Sequence, residues 1–168
     1  VQRYVKTLKD KEVVSKKMTV RFETAPGHQA QIDWGYCGHS IDKNGKIKPI
    51  YVFVYILGFS RFCYIEFTQS MQQGVLINCH KNAFDYSNGV PTEILYDNMK
   101  QVRLGPNKLN PILQDFSQYY GFSIKTCRPY RPRTKGKVER LINYIKGNFL
   151  PGKNFTSLED ANAQARAW

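Results

Sequence analysis

Acidic side chains are scarce in this sequence. Asp and Glu together number 13 of the 168 residues, against 25 Lys and Arg, so the formal net charge is +12. The sequence pI is near 9.6. Such an excess of positive charge predicts a polyanionic partner, either a nucleic acid or an anionic membrane surface.

Long hydrophobic runs are also lacking. No apolar stretch approaches the roughly 18 to 20 residues of a spanning helix, and no signal peptide opens the chain. The sequence therefore argues against a membrane partner and favours nucleic acid.

Paired cysteines and common catalytic motifs are missing as well. The four cysteines never form a CxxC pair, which argues against a zinc knuckle and a tight disulfide framework and predicts free thiols in a reducing cytosol. The chain contains neither a GxSxG motif nor a Walker A loop, so acyl transfer and nucleotide hydrolysis have little support.

What is present is a pattern of strands followed by strands that alternate with helices. The predicted strands cover residues 29–37, 48–57, 62–68, 92–97 and 122–127, and the predicted helices cover 74–86, 111–120 and 134–149. The resulting order, βββαβαβα, predicts an α/β fold of the ribonuclease H-like type. Such a fold has a five-stranded mixed sheet with helices on both faces.

The two ends differ in composition from this core. Residues 1–20 are rich in Lys and predict a basic arm or linker that arrives from an upstream region, whereas 21–150 form the predicted core. Residues 151–168 predict a helical extension that begins at the N-cap Ser157 and is truncated. We therefore expect a domain excised from a longer protein.

Three of the few acids stand in unexpected surroundings. Asp33 lies in the apolar run AQIDWGY, Asp97 ends the strand-like TEILYD, and Glu139 lies in the stretch from Lys125 to Arg140, which holds seven Lys or Arg residues. An unpaired charge is costly to bury. In the predicted sheet the first and fourth strands are neighbours, and Glu139 lies at the edge of the buried face of the last helix.

Divalent cations would explain such a cluster. Three close carboxylates repel one another unless cations neutralise them, and hard oxygen ligands suit Mg²⁺ or Mn²⁺. Two such ions can together promote the displacement at a phosphate group. The alternatives are an Asp33 paired with a nearby basic residue, an Asp97 in an Asx-turn, and an exposed Glu139 paired with Lys135.

The basic stretch before and around Glu139 predicts a contact surface for DNA phosphates. On the last helix, Asn143 and Lys146 continue the face that carries Glu139, and Tyr130 is a candidate for stacking on a flipped base. The predicted DNA contacts are Arg128, Arg131, Arg133, Lys135, Lys137, Arg140, Asn143 and Lys146.

Several motifs, in order, resemble one known family. The segments AQIDWG, GFSR, GVPTEILYDNMK, GFSIKTCRPYRPRTKGKVER and KGNFLPGKNFTSLEDAN are similar to the catalytic core of IstA-like bacterial insertion-sequence transposases. That family belongs to the superfamily of DDE transposases and retroviral integrases. The resemblance covers roughly residues 20–168.

The resemblance implies a site and a reaction. Asp33, Asp97 and Glu139 would be the catalytic, metal-binding triad for two Mg²⁺ or Mn²⁺ ions, with Asp33 shared between them. Hydrolysis at a transposon end would free a 3′-OH that attacks target DNA. The 41 residues between Asp97 and Glu139 exceed the 35 of well-known members, and an extended loop over 98–110 could account for the excess.

The resemblance also implies partners and a location. The partners would be double-stranded DNA, at the transposon ends and the target, and an ATPase helper of the full-length protein. An oligomer would form on DNA in the bacterial cytoplasm.

Two rival functions remain open from sequence. A ribonuclease H or junction-resolving nuclease would share the fold, but such sites add an acid early on the first helix, and this helix has none before Asp85. A catalytically silent DNA-binding module would keep the charge without the chemistry.

Overall fold

A computed structural model describes residues 23–41, 46–106, 108–127 and 136–168 of the chain. The elements in chain order are β1 (Gln29–Ile41), β2 (Ile47–Leu57), β3 (Cys63–Thr68), α1 (Gln73–Ser87), β4 (Glu93–Tyr96), β5 (Arg103–Gly105), β6 (Lys108–Leu109), α2 (Pro111–Tyr120), β7 (Ser123–Thr126), α3 (Gly136–Tyr144), a π-helical turn (Ile145–Phe149) and α4 (Leu158–Ala167).

Five strands form one mixed sheet in the order β3-β2-β1-β4-β7. The first three pair antiparallel as a meander, whereas β4 runs parallel to both β1 and β7. The predicted five-stranded sheet is therefore confirmed, including the adjacency of its first and fourth strands. That adjacency brings two of the three acid-bearing segments side by side.

Each face of the sheet is covered by helices. One core packs α1 and α2 against alternate strand residues such as Ile32, Phe53 and Ile94. The other packs α3, the π-helical turn and α4 against the intervening residues Val52 and Val54. Strand β2 is apolar throughout its centre because both of its faces are buried.

The helix ends follow the expected capping chemistry. Helix α1 is followed by the C-cap Asn88, which takes the left-handed conformation with φ of 50°. The Ser157 hydroxyl accepts a hydrogen bond from the Asp160 amide, so the predicted N-cap of α4 is confirmed. Helix α4 packs against β3 and buries Ala161 and Ala165 in the second core.

Two local features differ from the predictions. The stretch 98–110, which we expected to be an extended loop, contains the small antiparallel hairpin of β5 and β6. The last core helix, predicted as one element, changes at Ile145 to a π-helical turn in which the Leu150 amide donates to the Ile145 carbonyl at 3.1 Å. The predicted arm at 1–20 and the predicted start of the last core helix, at 134–135, lie outside the described residues.

None of the four cysteines, all of which lie within the described residues, forms a disulfide. None of the helices in the described part of the chain is long and apolar enough to cross a membrane.

Candidate active site

Asp33 lies in the middle of β1 on the face that α3 covers. It pairs across the strands with Val54, which belongs to the core beneath α3. Its neighbour Ile32 points to the opposite core, as the period of two requires. The half-buried Asp33 carboxylate accepts a hydrogen bond from the Trp34 amide at 2.9 Å. That bond restricts the orientation of the carboxylate over the sheet.

Asp97 follows directly after the last residue of β4. The parallel pairing of β1 with β4 ends at Gln31 opposite Leu95, so Asp33 and Asp97 each lie two residues beyond the last paired position. By the same alternation, Asp97 lies on the face of Leu95 and Asp33. The two acids therefore lie where the strands separate, at the carboxyl end of β4, a common place for ligand sites in α/β sheets.

The loop that carries Asp97 is held by Asn98. The Asn98 amide donates to the exposed Asp97 carboxylate at 2.8 Å. This bond joins adjacent residues and is not the Asx-turn considered from sequence, in which the carboxylate would accept from the amide two residues on. The Asn98 side chain donates to the Cys127 carbonyl at 3.1 Å. Asp97 is thus tied to the end of β7, which leads into the basic stretch.

Glu139 is exposed on α3, next to the fully buried Val138. The helix lies close on the sheet because β1 has a glycine beneath it. A Cβ on Gly35 would come within 2.8 Å of the Ile142 Cγ2 atom and 3.0 Å of a Val52 methyl. The buried face of the helix, predicted from sequence, therefore places Glu139 above the same side of the sheet as Asp33.

The donor chemistry of these three acids fits a hard divalent cation, since all the ligands would be carboxylate oxygens. Within the described segments, however, no group of three or more His, Cys, Asp or Glu side chains is arranged to hold a metal ion. The three acids share one side of the sheet without forming a preassembled metal centre.

The predicted DNA contacts on α3 and the following turn are mostly exposed. Arg140, Asn143 and Lys146 are all accessible to solvent. Lys137 differs, because its side chain is only 17% exposed and its ammonium donates to the Gly58 carbonyl at 2.8 Å. Burial, reinforced by the Arg61 charge, lowers the pKa of Lys137.

The other predicted contacts lie outside the described residues. They are Arg128, Arg131, Arg133 and Lys135, together with the stacking candidate Tyr130.

The sequence analysis missed a buried polar pair behind Asp97. His80, on α1, is fully buried and lies 2.7 Å from the Tyr96 hydroxyl through its Nε2 atom. The available signal was its spacing, because Leu76, His80 and Phe84 fall on one helical stripe.

Comparison with known protein families shows which family this chain belongs to. The integrase core domain family matches residues 23–132 of the chain. This chain belongs to the integrase core domain family. The resemblance inferred from the motifs is thereby confirmed.

The relatives of this integrase core include bacterial transposases. The chain is 44% identical over 162 residues to a putative transposase of insertion sequence element IS5376 from Geobacillus stearothermophilus, covering 94% of the chain and 40% of that protein. It is 34% identical over 157 residues to the transposase of IS21 from Pseudomonas aeruginosa, covering 90% and 40%. The integrase core therefore spans well under half the length of these relatives.

Solved structures confirm the predicted fold class. The HTLV-2 integrase catalytic core domain in complex with magnesium superposes with a TM-score of 0.61 at 21% identity, covering 86% of each chain. That likeness shows a common fold for the two cores.

Proposed function

We propose that this integrase core is the catalytic domain of a DNA transposase. It would carry out divalent-metal-dependent cleavage at transposon ends and join the freed 3′-OH to target DNA. The observation that supports this most strongly is the strand register, in which Asp33 and Asp97 each follow the last paired residues of β1 and β4 by two positions, on the sheet that the Glu139-bearing helix covers. The same chain is 44% identical to a putative transposase.

In this proposal Asp33, Asp97 and Glu139 would hold two Mg²⁺ or Mn²⁺ ions. Bound ions would supply activation of the attacking oxygen and stabilisation of the leaving oxygen. The chain itself holds the carboxylates in place. The Trp34 and Asn98 amides orient the two aspartates, while α3 keeps Glu139 on the same side of the sheet. Completion of the site then requires a closer approach of these groups when metal and DNA bind.

The exposed side chains of α3 and its π-helical turn would contact the DNA backbone. Arg140, Asn143 and Lys146 lie on the same element as Glu139 and are open to solvent. Phosphate contacts of this kind position the duplex without reading its sequence. The predicted contacts in the stretch 128–135 would continue this surface. Lys137 would contribute only the N–H donors that its hydrogen bond to the Gly58 carbonyl leaves unused.

The remaining partners follow from the same proposal. The full-length protein would act in the bacterial cytoplasm, form an oligomer on DNA and work with an ATPase helper. The nuclease alternative is not favoured by α1, whose exposed Asp85 lies near its far end.

The test of the metal site is calorimetric titration of Mn²⁺ in the presence of a transposon-end oligonucleotide. The wild-type chain should bind Mn²⁺, and Asp97→Ala should abolish that binding. Asp115→Ala is the matched control, because Asp115 is an exposed acid on α2, on the opposite side of the sheet. If all three proteins bind DNA but the wild type and Asp97→Ala give the same Mn²⁺ signal, the domain is a DNA-binding module and the proposal fails.

The test of the DNA surface is a salt titration of DNA affinity. Lys146→Ala should weaken binding with little dependence on sequence and reduce the slope of log K against log salt by about one unit. Lys81→Ala, an exposed lysine on α1, should leave both quantities unchanged. Equal behaviour of the two variants would place the DNA elsewhere.

A further inference from the structure

We propose that the buried hydrogen bond between His80 and Tyr96 is a positioning device for Asp97. This inference rests on the proposed function, since it treats Asp97 as a metal ligand. Tyr96 is the last residue of β4 and Asp97 is the next residue. The hydrogen bond lies on the α1 face, behind the strand, and acts on Asp97 through the backbone.

The direction of the hydrogen bonds follows from the partners. The Nδ1 atom of His80 lies 2.6 Å from the Leu76 carbonyl, which can only accept, so Nδ1 carries the proton. The Nε2 atom is then an acceptor, and the Tyr96 hydroxyl donates to it at 2.7 Å. Burial lowers the pKa of His80 to about 4, which keeps the ring neutral near pH 7.

Both rings are held tightly. His80 and Tyr96 are 0% exposed, with ring centroids 5.6 Å apart. Aromatic rings surround His80 on several sides, at centroid distances between 5.6 and 6.4 Å: Phe53, Phe84, Phe116 and Phe122. The Tyr96 ring therefore cannot turn without breaking the bond or displacing this cluster.

The backbone on either side of the tyrosine is restrained as well. The Tyr96 carbonyl accepts from the Cys127 amide at 3.0 Å. With the ring bonded to His80 and the carbonyl bonded to the end of β7, Tyr96 is anchored at two points. Strand β4 has only four residues, and its pairing with β1 ends at Leu95, so these anchors help to fix where its end, and hence Asp97, comes to lie.

A purely stabilising role would not require this pair. Two apolar side chains of similar shape can replace a buried hydrogen-bonded pair at little cost, whereas removal of one partner leaves the other buried and unsatisfied. A double variant therefore separates the two roles. It should regain the free energy of unfolding that each single variant loses, but it should not restore a position of Asp97 that depends on the hydrogen bond.

The experiment compares Tyr96→Phe, His80→Leu and the double variant with the wild-type chain. Each is measured by urea unfolding and by Mn²⁺ calorimetry with the transposon-end oligonucleotide. The urea midpoint should fall in the single variants and recover most of the loss in the double variant. Mn²⁺ affinity should fall about tenfold in all three, the low end of the roughly 10- to 100-fold known for residues that orient metal ligands.

The control is Tyr55→Phe. Tyr55 is another fully buried tyrosine of the same core, but its strand β2 contains no acidic residue. This variant should keep the wild-type Mn²⁺ affinity, and metal-free DNA affinity should be unchanged in every variant.

The outcomes distinguish this inference from the function on which it rests. If Asp97→Ala abolishes Mn²⁺ binding while the double variant binds like the wild type, the positioning role is wrong and the proposed function stands. A double variant that recovers its urea midpoint and its Mn²⁺ affinity together would show a stabilising pair only. If Asp97→Ala has no effect on Mn²⁺ binding, both proposals fall.

Discussion

Gly35 controls how closely α3 can approach the sheet, and its replacement gives the sharpest test of the site's architecture. An added Cβ would lie 2.8 Å from the Ile142 Cγ2 atom and 3.0 Å from the Val52 Cγ1 atom. The first contact is shorter than real Cβ atoms show and the second is tighter than most of them. Both involve branched side chains that are buried in the second core. The helix must move outward or the side chains must leave their rotamers.

The expected cost of Gly35→Ala is about 1 to 3 kcal/mol of unfolding free energy, the range for overpacking a well-packed core. Urea unfolding of the 168-residue chain measures it. Gly74→Ala is the matched control, because a Cβ there meets nothing within 4 Å. Gly74 lies in the first turn of α1, so its replacement should be neutral or stabilise by up to about 1 kcal/mol.

A double-mutant cycle assigns the cost to the helix contact. Ile142→Ala removes the atom nearest to the new methyl group, so the combined loss in Gly35→Ala/Ile142→Ala should be smaller than the sum of the single losses by about 0.5 to 3 kcal/mol. Gly35→Ala should also weaken Mn²⁺ binding, because the displaced helix carries Glu139 away from Asp33. A variant as stable as the wild type, or strictly additive losses, would refute the close approach of α3.

Three further predictions concern stability. Burial lowers the pKa of His80 from 6.5 to about 4, so as the pH falls the unfolded chain takes up this proton before the folded chain does. The contribution of the neutral His80 to the free energy of unfolding should be fully present above pH 6.5 and should fall by about 3 kcal/mol toward pH 4. Urea midpoints across this range would show the fall, and His80→Leu should flatten this part of the profile. Lys137→Met should lower the free energy of unfolding by about 1.5 to 3 kcal/mol in thermal unfolding, because it removes the charged donor to the Gly58 carbonyl. Lys146→Met, at an exposed position, should change it by less than about 0.5 kcal/mol. Equal losses in the two variants would argue against a stabilising hydrogen bond from Lys137. Ser157→Ala should cost about 1 kcal/mol by removing the N-cap of α4, and Ser157→Gly should cost only a few tenths; a neutral alanine variant would show that the cap contributes nothing.

Much of the fold could be predicted from local patterns. The continuous apolar run of β2 and the alternation around Asp33 are set by burial on one or both sides of a strand, and that information lies within a few residues. The last helix was predicted for the same reason, since Val138, Ile142 and Ile145 repeat at helical spacing and are all buried. The small β5–β6 hairpin carried too few residues to show a period.

For the candidate site, too, some features could be predicted from the sequence and others could not. The sequence alone singled out Asp33, Asp97 and Glu139 as candidates, because an acid in an apolar strand or in a basic stretch is unusual in any fold. Only the tertiary structure decided that the strands leading to Asp33 and Asp97 pair in register, that Lys137 donates to Gly58, and that His80 lies buried against Tyr96. These relations join residues far apart in the chain, so their energies depend on which surfaces meet, and no local pattern records that.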